Sequence, residues 1–145
     1  MKRIAIVVQR CHAGIAGGSE ALAWQYAQLL STSYEVELVT SCALDYATWD
    51  NALPAGIEHR DGIMIRRFAT ARPRGRTFTE LHRRLLAEHM ATKSLCWRTS
   101  LAEEFVRFQG PWCPALTGHL AERHGDYAAV IGCTSPAGCT APPPP

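Results

Sequence analysis

The first thirty residues combine two hydrophobic patterns separated by a glycine-rich turn. Residues 4–8 form an unbroken aliphatic run, which is typical of a strand buried on both faces of a parallel sheet. Apolar residues then recur at helical spacing, at Leu22, Tyr26, Leu29 and Leu30. Ser19, or the glycine before it, is the natural residue to cap this helix. The pattern therefore predicts a strand, a turn through Gly17 and Gly18, and a helix.

The rest of the chain continues with alternating strand and helix signals. Asp61-Gly62 separates two short strand-like runs, which is the signal of a type I′ hairpin at one edge of a sheet. The predicted further strands are 34–40, 56–60, 63–68 and 127–132, the last of them buried. The predicted further helices are 77–90, 100–108 and 112–124, with Pro114 as the alternative start of the last one.

This order predicts an α/β fold with a Rossmann-like, mostly parallel sheet that carries helices on both faces and is incomplete at its C-terminal end. A strand, a helix and a strand within about forty residues form a right-handed βαβ unit. We expect one domain over residues 1–133 and a Pro-rich irregular tail over 134–145, because four consecutive prolines cannot continue a helix or a central strand. The tail is interpreted as the end of a piece of a longer enzyme, with a short natural module as the alternative.

The amino-acid composition limits the classes of protein to which the chain can belong. With 145 residues, 47% of them hydrophobic and 19% charged, the chain has the composition of a globular domain. It contains no apolar run long enough to cross a bilayer, and its first aliphatic run is too short for a signal peptide, so we expect it to stay in the cytoplasm. The six cysteines and six histidines show no metal-ligand spacing, which predicts free thiols and no metal site.

Charge is distributed unevenly along the chain. Residues 60–98 include ten basic and three acidic residues, so this window carries 10 − 3 = +7 while the whole chain carries +2. A basic stretch of this kind can bind nucleic acid, an anionic membrane surface or a phosphorylated substrate. A solvated helix and loop is the commoner reason for such a stretch.

The turn between the first strand and the first helix is a candidate anion site. The free N–H groups and the dipole of a helix N-terminus favour negative charge, and Gly17 and Gly18 let a phosphate approach the backbone closely. The turn is not a P-loop, because Ser19 and Glu20 follow where Lys-Ser/Thr would be required, and the spacing from Gly14 does not fit the dinucleotide fingerprint. A tight turn that binds nothing is the alternative.

Taken in order, these segments resemble the N-terminal domain of glycosyltransferase family 4, the group 1 glycosyltransferases of the two-domain GT-B fold. The resemblance covers residues 1 to about 140. Its first part is the initial strand, the sequence Gly17-Gly18-Ser19-Glu20 and the helix that follows. The segments that resemble one bacterial subgroup more closely are 34–40, 42–49, 53–62 and 109–116.

The resemblance implies transfer of a sugar from a nucleotide-sugar donor to an acceptor, with retention, as in hexosyltransferases, and without a metal or other cofactor. It implies that Gly17 and Gly18 contact the donor diphosphate and that Ser19 and Glu20 order the turn. The arginines of the basic loop could contact a phosphorylated or lipid-diphosphate acceptor; they are Arg72, Arg74 and Arg76.

Two departures limit what the resemblance implies for this chain. The nucleotide-binding residues and paired glutamates of the family belong to a C-terminal domain that this sequence lacks, so we expect the chain to be inactive alone. The histidine that many members place after the last strand is replaced by Cys133-Thr134, so the catalytic base stays unassigned. We expect a cytoplasmic location at the inner membrane surface, with the missing domain as partner.

Three other functions remain open from the sequence. The chain could be a non-catalytic module that binds an acceptor, or the acceptor-recognising subunit of a split transferase. The basic window leaves a nucleic-acid-binding module as a further, less favoured alternative. A nicotinamide-dependent oxidoreductase is disfavoured, because Thr40-Ser41 ends the second strand where an acidic residue would be needed.

Overall fold

The computed structural model describes residues 2–14, 17–92 and 99–133. Within them, strands and helices follow one another in the predicted order. The strands are β1 (Arg3–Val7), β2 (Glu35–Ser41), β3 (Gly56–Arg60), β4 (Ile63–Phe68) and β5 (Tyr127–Gly132). The helices are α1 (Gly18–Leu30), α2 (Arg76–Thr92), α3 (Thr99–Gln109) and α4 (Pro114–Glu122), and a 3-10 turn over His124–Asp126 leads into β5.

The five strands form one sheet in the order β3-β4-β2-β1-β5. All neighbouring pairs are parallel except β3 and β4, which form an antiparallel hairpin. The chain first builds the sheet on one side of β1 and then returns to its other side for β5. The mixed α/β fold with a mostly parallel sheet is therefore confirmed, and it is compatible with a Rossmann-like arrangement.

Helices cover both faces of the sheet, as the alternation of side chains along β1 requires. On one face Ala23 and Ala27 of α1 pack against Ile4 and Ile6 of β1. On the other face Leu116 of α4 packs against Ala5 and Val7 of β1 and against Val39 of β2. A third cluster joins α2 to α3 through Phe78, Leu81, Leu85 and Phe108.

The predicted hairpin is confirmed at the sheet edge formed by β3. Asp61 and Gly62 both have positive φ, 52° and 78°, as a type I′ turn requires at its two central residues. Asp tolerates this left-handed conformation better than most residues, and glycine adopts it without steric penalty.

The prediction that β5 is a buried strand is wrong, although its bounds agree with the structure. Among the described strands β5 pairs with β1 alone, and most of its residues are exposed, including Val130 at 51%. A short apolar run has the same sequence pattern in a central strand and in an edge strand. Whether it is buried depends on a second neighbouring strand, which the run itself does not specify.

Other predictions differ from the structure only at their ends or lie beyond the described residues. α4 begins at Pro114, the alternative start of the predicted helix 112–124, and it ends two residues early because the chain tightens into the 3-10 turn after Glu122. The four described cysteines are buried thiols, as predicted; they are Cys11, Cys42, Cys113 and Cys133. Cys96, Cys139 and the predicted tail 134–145 lie outside the described residues.

Candidate functional site

The candidate site lies at the carboxyl ends of the parallel strands, beside β1. In this sheet β2 lies on one side of β1 and β5 on the other. The order of the sheet therefore reverses at β1, and in open α/β sheets ligands bind in the crevice formed at such a reversal. The turn that carries Gly17 and Gly18 follows β1, so it lies at this crevice.

The two glycines have different surroundings. Gly17 is the N-cap of α1, with an extended backbone and no side-chain cap, and its carbonyl accepts the first helical hydrogen bond from Ala21 N–H at 2.9 Å. Gly18 is exposed, and a Cβ added to it would meet no described atom within 4 Å. Among the described residues, the leading turn of α1 is therefore open on the side of Gly18.

Glu20 covers the other glycine. A Cβ at position 17 would overlap the Glu20 carboxylate, which would have to move aside, whereas the φ of Gly17 suits any residue. The carboxylate accepts hydrogen bonds from Ser19 Oγ and Arg10 Nε, each at 2.9 Å. These contacts tie the first turn of α1 to Arg10 in the segment after β1.

The Glu20 carboxylate is ionised in this setting. Burial raises its pKa, but the hydrogen bonds from its own backbone N–H, from Ser19 and from Arg10 outweigh burial and leave the pKa below its usual value. Its negative charge is balanced by Arg10, whose Nη2 lies 2.7 Å from Glu20 Oε1. The turn thus contains a neutral ion pair next to the open amide end of the helix.

Arg10 is a site residue that the sequence analysis did not select. Its guanidinium also donates to the carbonyl of Leu44 at 2.8 Å and lies over the ring of Tyr46 at 5.4 Å. It therefore connects the segments that follow β1 and β2 to the start of α1. The available signal was its position, because a basic residue directly after the first strand faces the carboxyl edge of the sheet.

The three arginines of the basic loop have separate roles. Arg74 donates to the carbonyls of Tyr46 and Phe108, each at 3.1 Å, and to that of Gln109, so it joins its own loop to two other segments of backbone. Burial lowers the pKa of its guanidinium. Arg72 and Arg76 are exposed, and the Arg72 guanidinium lies 4.4 Å from the ring centre of Phe108. Of these three arginines, Arg72 and Arg76 therefore present a charged guanidinium at the surface.

A second polar cluster lies under α4. Glu37 of β2 is 1% exposed and accepts hydrogen bonds from Arg66 Nε and, at 2.7 Å, from Tyr127 Oη. His119 Nε2 of α4 lies 3.1 Å from the same Tyr127 oxygen. Because the tyrosine proton goes to Glu37, the tyrosine oxygen accepts from Nε2 of a neutral His119 ring.

The ionisation of this cluster follows from burial and hydrogen bonding. Burial raises the pKa of Glu37, but hydrogen bonds from Arg66 and Tyr127 outweigh it and leave the pKa below its usual value. Burial lowers the pKa of His119 more than the nearby Glu37 raises it. Burial and the bond to Glu37 raise the pKa of Tyr127 to about 12. The hydrogen bonds of this cluster hold α4 against the sheet, and its polar groups are hydrogen-bonded to one another.

In the described residues no three side chains of His, Cys, Asp or Glu come together to hold a metal ion. No helix in the described part of the chain has the length and apolar character needed to cross a membrane. Comparison with protein-family models, with curated proteins and with solved structures found no match to this chain.

Proposed function

We propose that this chain is the acceptor-side, N-terminal domain of a retaining glycosyltransferase of the GT-B fold, family 4. In the full enzyme it would help to transfer a sugar from a nucleotide-sugar to an acceptor, and alone it is inactive. The observation that carries the proposal is the open N-terminus of α1 at Gly18, next to β1 at the reversal of the sheet order. The resemblance described above supplies the reaction.

The chemistry assigned to the turn is binding of the donor diphosphate. The N–H groups of a first helical turn and the helix dipole favour an anion, and such a site stabilises the diphosphate as it leaves the sugar. Glu20 alone would repel that anion, but its ion pair with Arg10 removes most of the repulsion. Gly18 offers the approach, while Gly17 and Ser19 keep the Glu20 carboxylate in place.

The acceptor is assigned to the side of the exposed arginines. Arg72 and Arg76 could bind the phosphate of a phosphorylated or lipid-diphosphate acceptor, which would suit an enzyme that works in the cytoplasm at the inner membrane surface. Arg74 is less suited to this role, because its donors are used by backbone carbonyls. The same feature makes the basic loop a poorer surface for nucleic acid.

Titration of the chain with uridine diphosphate and guanosine diphosphate tests the diphosphate site. We expect the backbone N–H resonances of Gly18, Ser19 and residues 9–14 to shift, with weak affinity because this turn contacts only the diphosphate. Gly18→Asp should abolish the shifts, since it places a carboxylate at the open amides without a steric clash. Gly125→Asp is the matched control: an added Cβ there also meets no described atom within 4 Å.

Two results would contradict the proposal. Equally large shifts in Gly18→Asp would show that the nucleotide does not bind at the N-terminus of α1. Shifts confined to the surroundings of Arg72 and Arg76, together with salt-sensitive binding of a single-stranded oligonucleotide, would favour the nucleic-acid-binding alternative.

A further inference from the structure

The outer face of α1 carries large apolar side chains. Leu22, Tyr26 and Leu29 are 42%, 41% and 69% exposed, whereas the residues that α1 buries fully against the sheet are Ala23 and Ala27. Positions 22, 26 and 29 are separated by four and three residues, so their side chains share one side of the helix. The apolar periodicity of this segment therefore marks a surface of the molecule and not its core.

We propose that this face binds the same face of a second copy of the chain, with the two α1 helices antiparallel about a two-fold axis. The axis would pass between positions 25 and 26, which places Leu22 of each copy opposite Leu29 of the other. Gln25 of each copy then lies opposite Tyr26 of the other. A two-fold contact uses one surface patch twice, and the symmetric spacing of these residues makes the patch complementary to itself.

Charge favours a second copy over other occupants of this face. No charged residue occurs between Glu20 and Glu35, and these two are paired with Arg10 and Arg3. A partner with a charged surface would lose hydration here without gaining a counter-charge, whereas a second copy brings no charge to the contact. An anionic membrane is disfavoured for the same reason, because apolar helices that bind such membranes carry Lys or Arg beside the apolar face.

The polar side chains of this face suit a contact between two copies. Gln25 is exposed, and its amide both donates and accepts hydrogen bonds, as does the hydroxyl of Tyr26. When these two side chains face each other across the axis, each provides the hydrogen-bond partner that the other loses on leaving water. One pair of short helices buries less than the roughly 1,200 Å² at which stable interfaces begin, so we expect a weak dimer with a Kd of about 100 μM.

This contact is distinct from strand pairing at the exposed edge of β5. It uses only side chains of α1, and its two-fold axis closes the assembly at two copies. None of its residues is assigned to the diphosphate or to the acceptor, so it does not depend on the proposed function.

Sedimentation equilibrium of the full chain tests the inference. The chain carries Val130→Lys in this experiment, because a charge on β5 suppresses strand pairing at that edge. We expect a monomer–dimer equilibrium, and Leu29→Glu should raise its Kd about tenfold by placing a carboxylate against the apolar Leu22 of the other copy. Leu86→Glu is the matched control: it makes the same replacement at a leucine of α2 that is 51% exposed, and it should leave the Kd unchanged.

The double variant Leu22→Lys/Leu29→Glu tests the antiparallel register. Each lysine would meet a glutamate of the other copy, so the double variant should associate about threefold more tightly than Leu29→Glu alone. In a parallel pair each charge would meet its own equivalent, and the double variant would associate more weakly still.

Three results would overturn the inference. One is a chain that stays monomeric up to about 1 mM, ten times the expected Kd. Another is an equal effect of Leu86→Glu and Leu29→Glu, or no recovery of affinity in the double variant. The third is binding to phosphatidylglycerol vesicles that Leu29→Glu abolishes, without any dimer, which would assign this face to a membrane instead.

Discussion

At the scale of single residues, the adjacent glycines Gly17 and Gly18 each leave space for a different group. Gly17 leaves room for the carboxylate of Glu20, whereas Gly18 leaves room for something outside the chain. Neither residue has a positive φ, so space and not backbone conformation explains both. The two positions should therefore respond in opposite ways to the same substitution.

Replacing Gly17 by alanine should destabilise the fold, and replacing Gly18 should not. In Gly17→Ala the new methyl displaces the Glu20 carboxylate and weakens its pair with Arg10, at a cost of about 1 kcal/mol. Gly18→Ala should stabilise α1 by up to about 1 kcal/mol, because alanine favours the helix. Urea unfolding measures both changes. In a Glu20→Ala background the penalty of Gly17→Ala should vanish, and a penalty that persists there would refute this explanation.

At the scale of elements, the contact between α4 and the sheet depends on ionisation. The buried carboxylate of Glu37 reaches α4 through Tyr127 and His119, so protonation of this cluster acts on a whole helix. His119 is neutral and Glu37 is charged in the folded state. Acid should protonate both His119 and Glu37, and α4 should then pack less tightly against the sheet.

The stability of the fold should fall as the pH is lowered from about 7. The pKa of His119 lies below its ordinary 6.5, so the unfolded chain binds more protons, and the stability present above that pH is lost as the pH falls through the folded value. Glu37 adds a loss of the same sign below its ordinary 4.5. Urea midpoints across this range measure the effect. His119→Asn should flatten the upper part of the curve, whereas His59→Asn, at an exposed position, should leave it unchanged. A midpoint that does not fall in acid would contradict this account.

The elements that could be predicted from sequence are those whose signals are local. An aliphatic run and an Asp-Gly turn lie within a few residues, so β1 and the hairpin were predicted almost to their ends. Buried partners distant in sequence leave no such signal: Glu37 meets Tyr127 ninety residues later. The same limit applies to the site, where the glycine turn was recognised but Arg10, and the use of Arg74 by backbone carbonyls, were not.

At the scale of the whole molecule, the two edges of the sheet are protected differently. β3 carries charged residues along its length, including Glu58 and Arg60. β5 carries none, and its outer side has no partner strand among the described residues. An uncharged apolar edge strand pairs readily with another chain, so β5 is the side on which the molecule should self-associate.

A charge on β5 should suppress association. We expect poor solubility of the isolated chain, and Val130→Lys should raise the monomer fraction in sedimentation velocity because lysine on an edge strand opposes pairing. Ile57→Lys on β3 is the matched control, since Ile57 and Val130 are exposed to almost the same extent, 52% and 51%. Equal effects of the two substitutions would show that net charge, and not the β5 edge, controls association.

The close packing of α1 also bears on the crevice. Only the methyl groups of Ala23 and Ala27 are fully buried between this helix and the strands beneath it, which lets the two backbones approach closely. These methyls act as spacers that fix the height of the helix axis above the sheet. A bulkier residue at either position would raise the axis and carry Gly18 away from the crevice, without altering any residue of the turn itself.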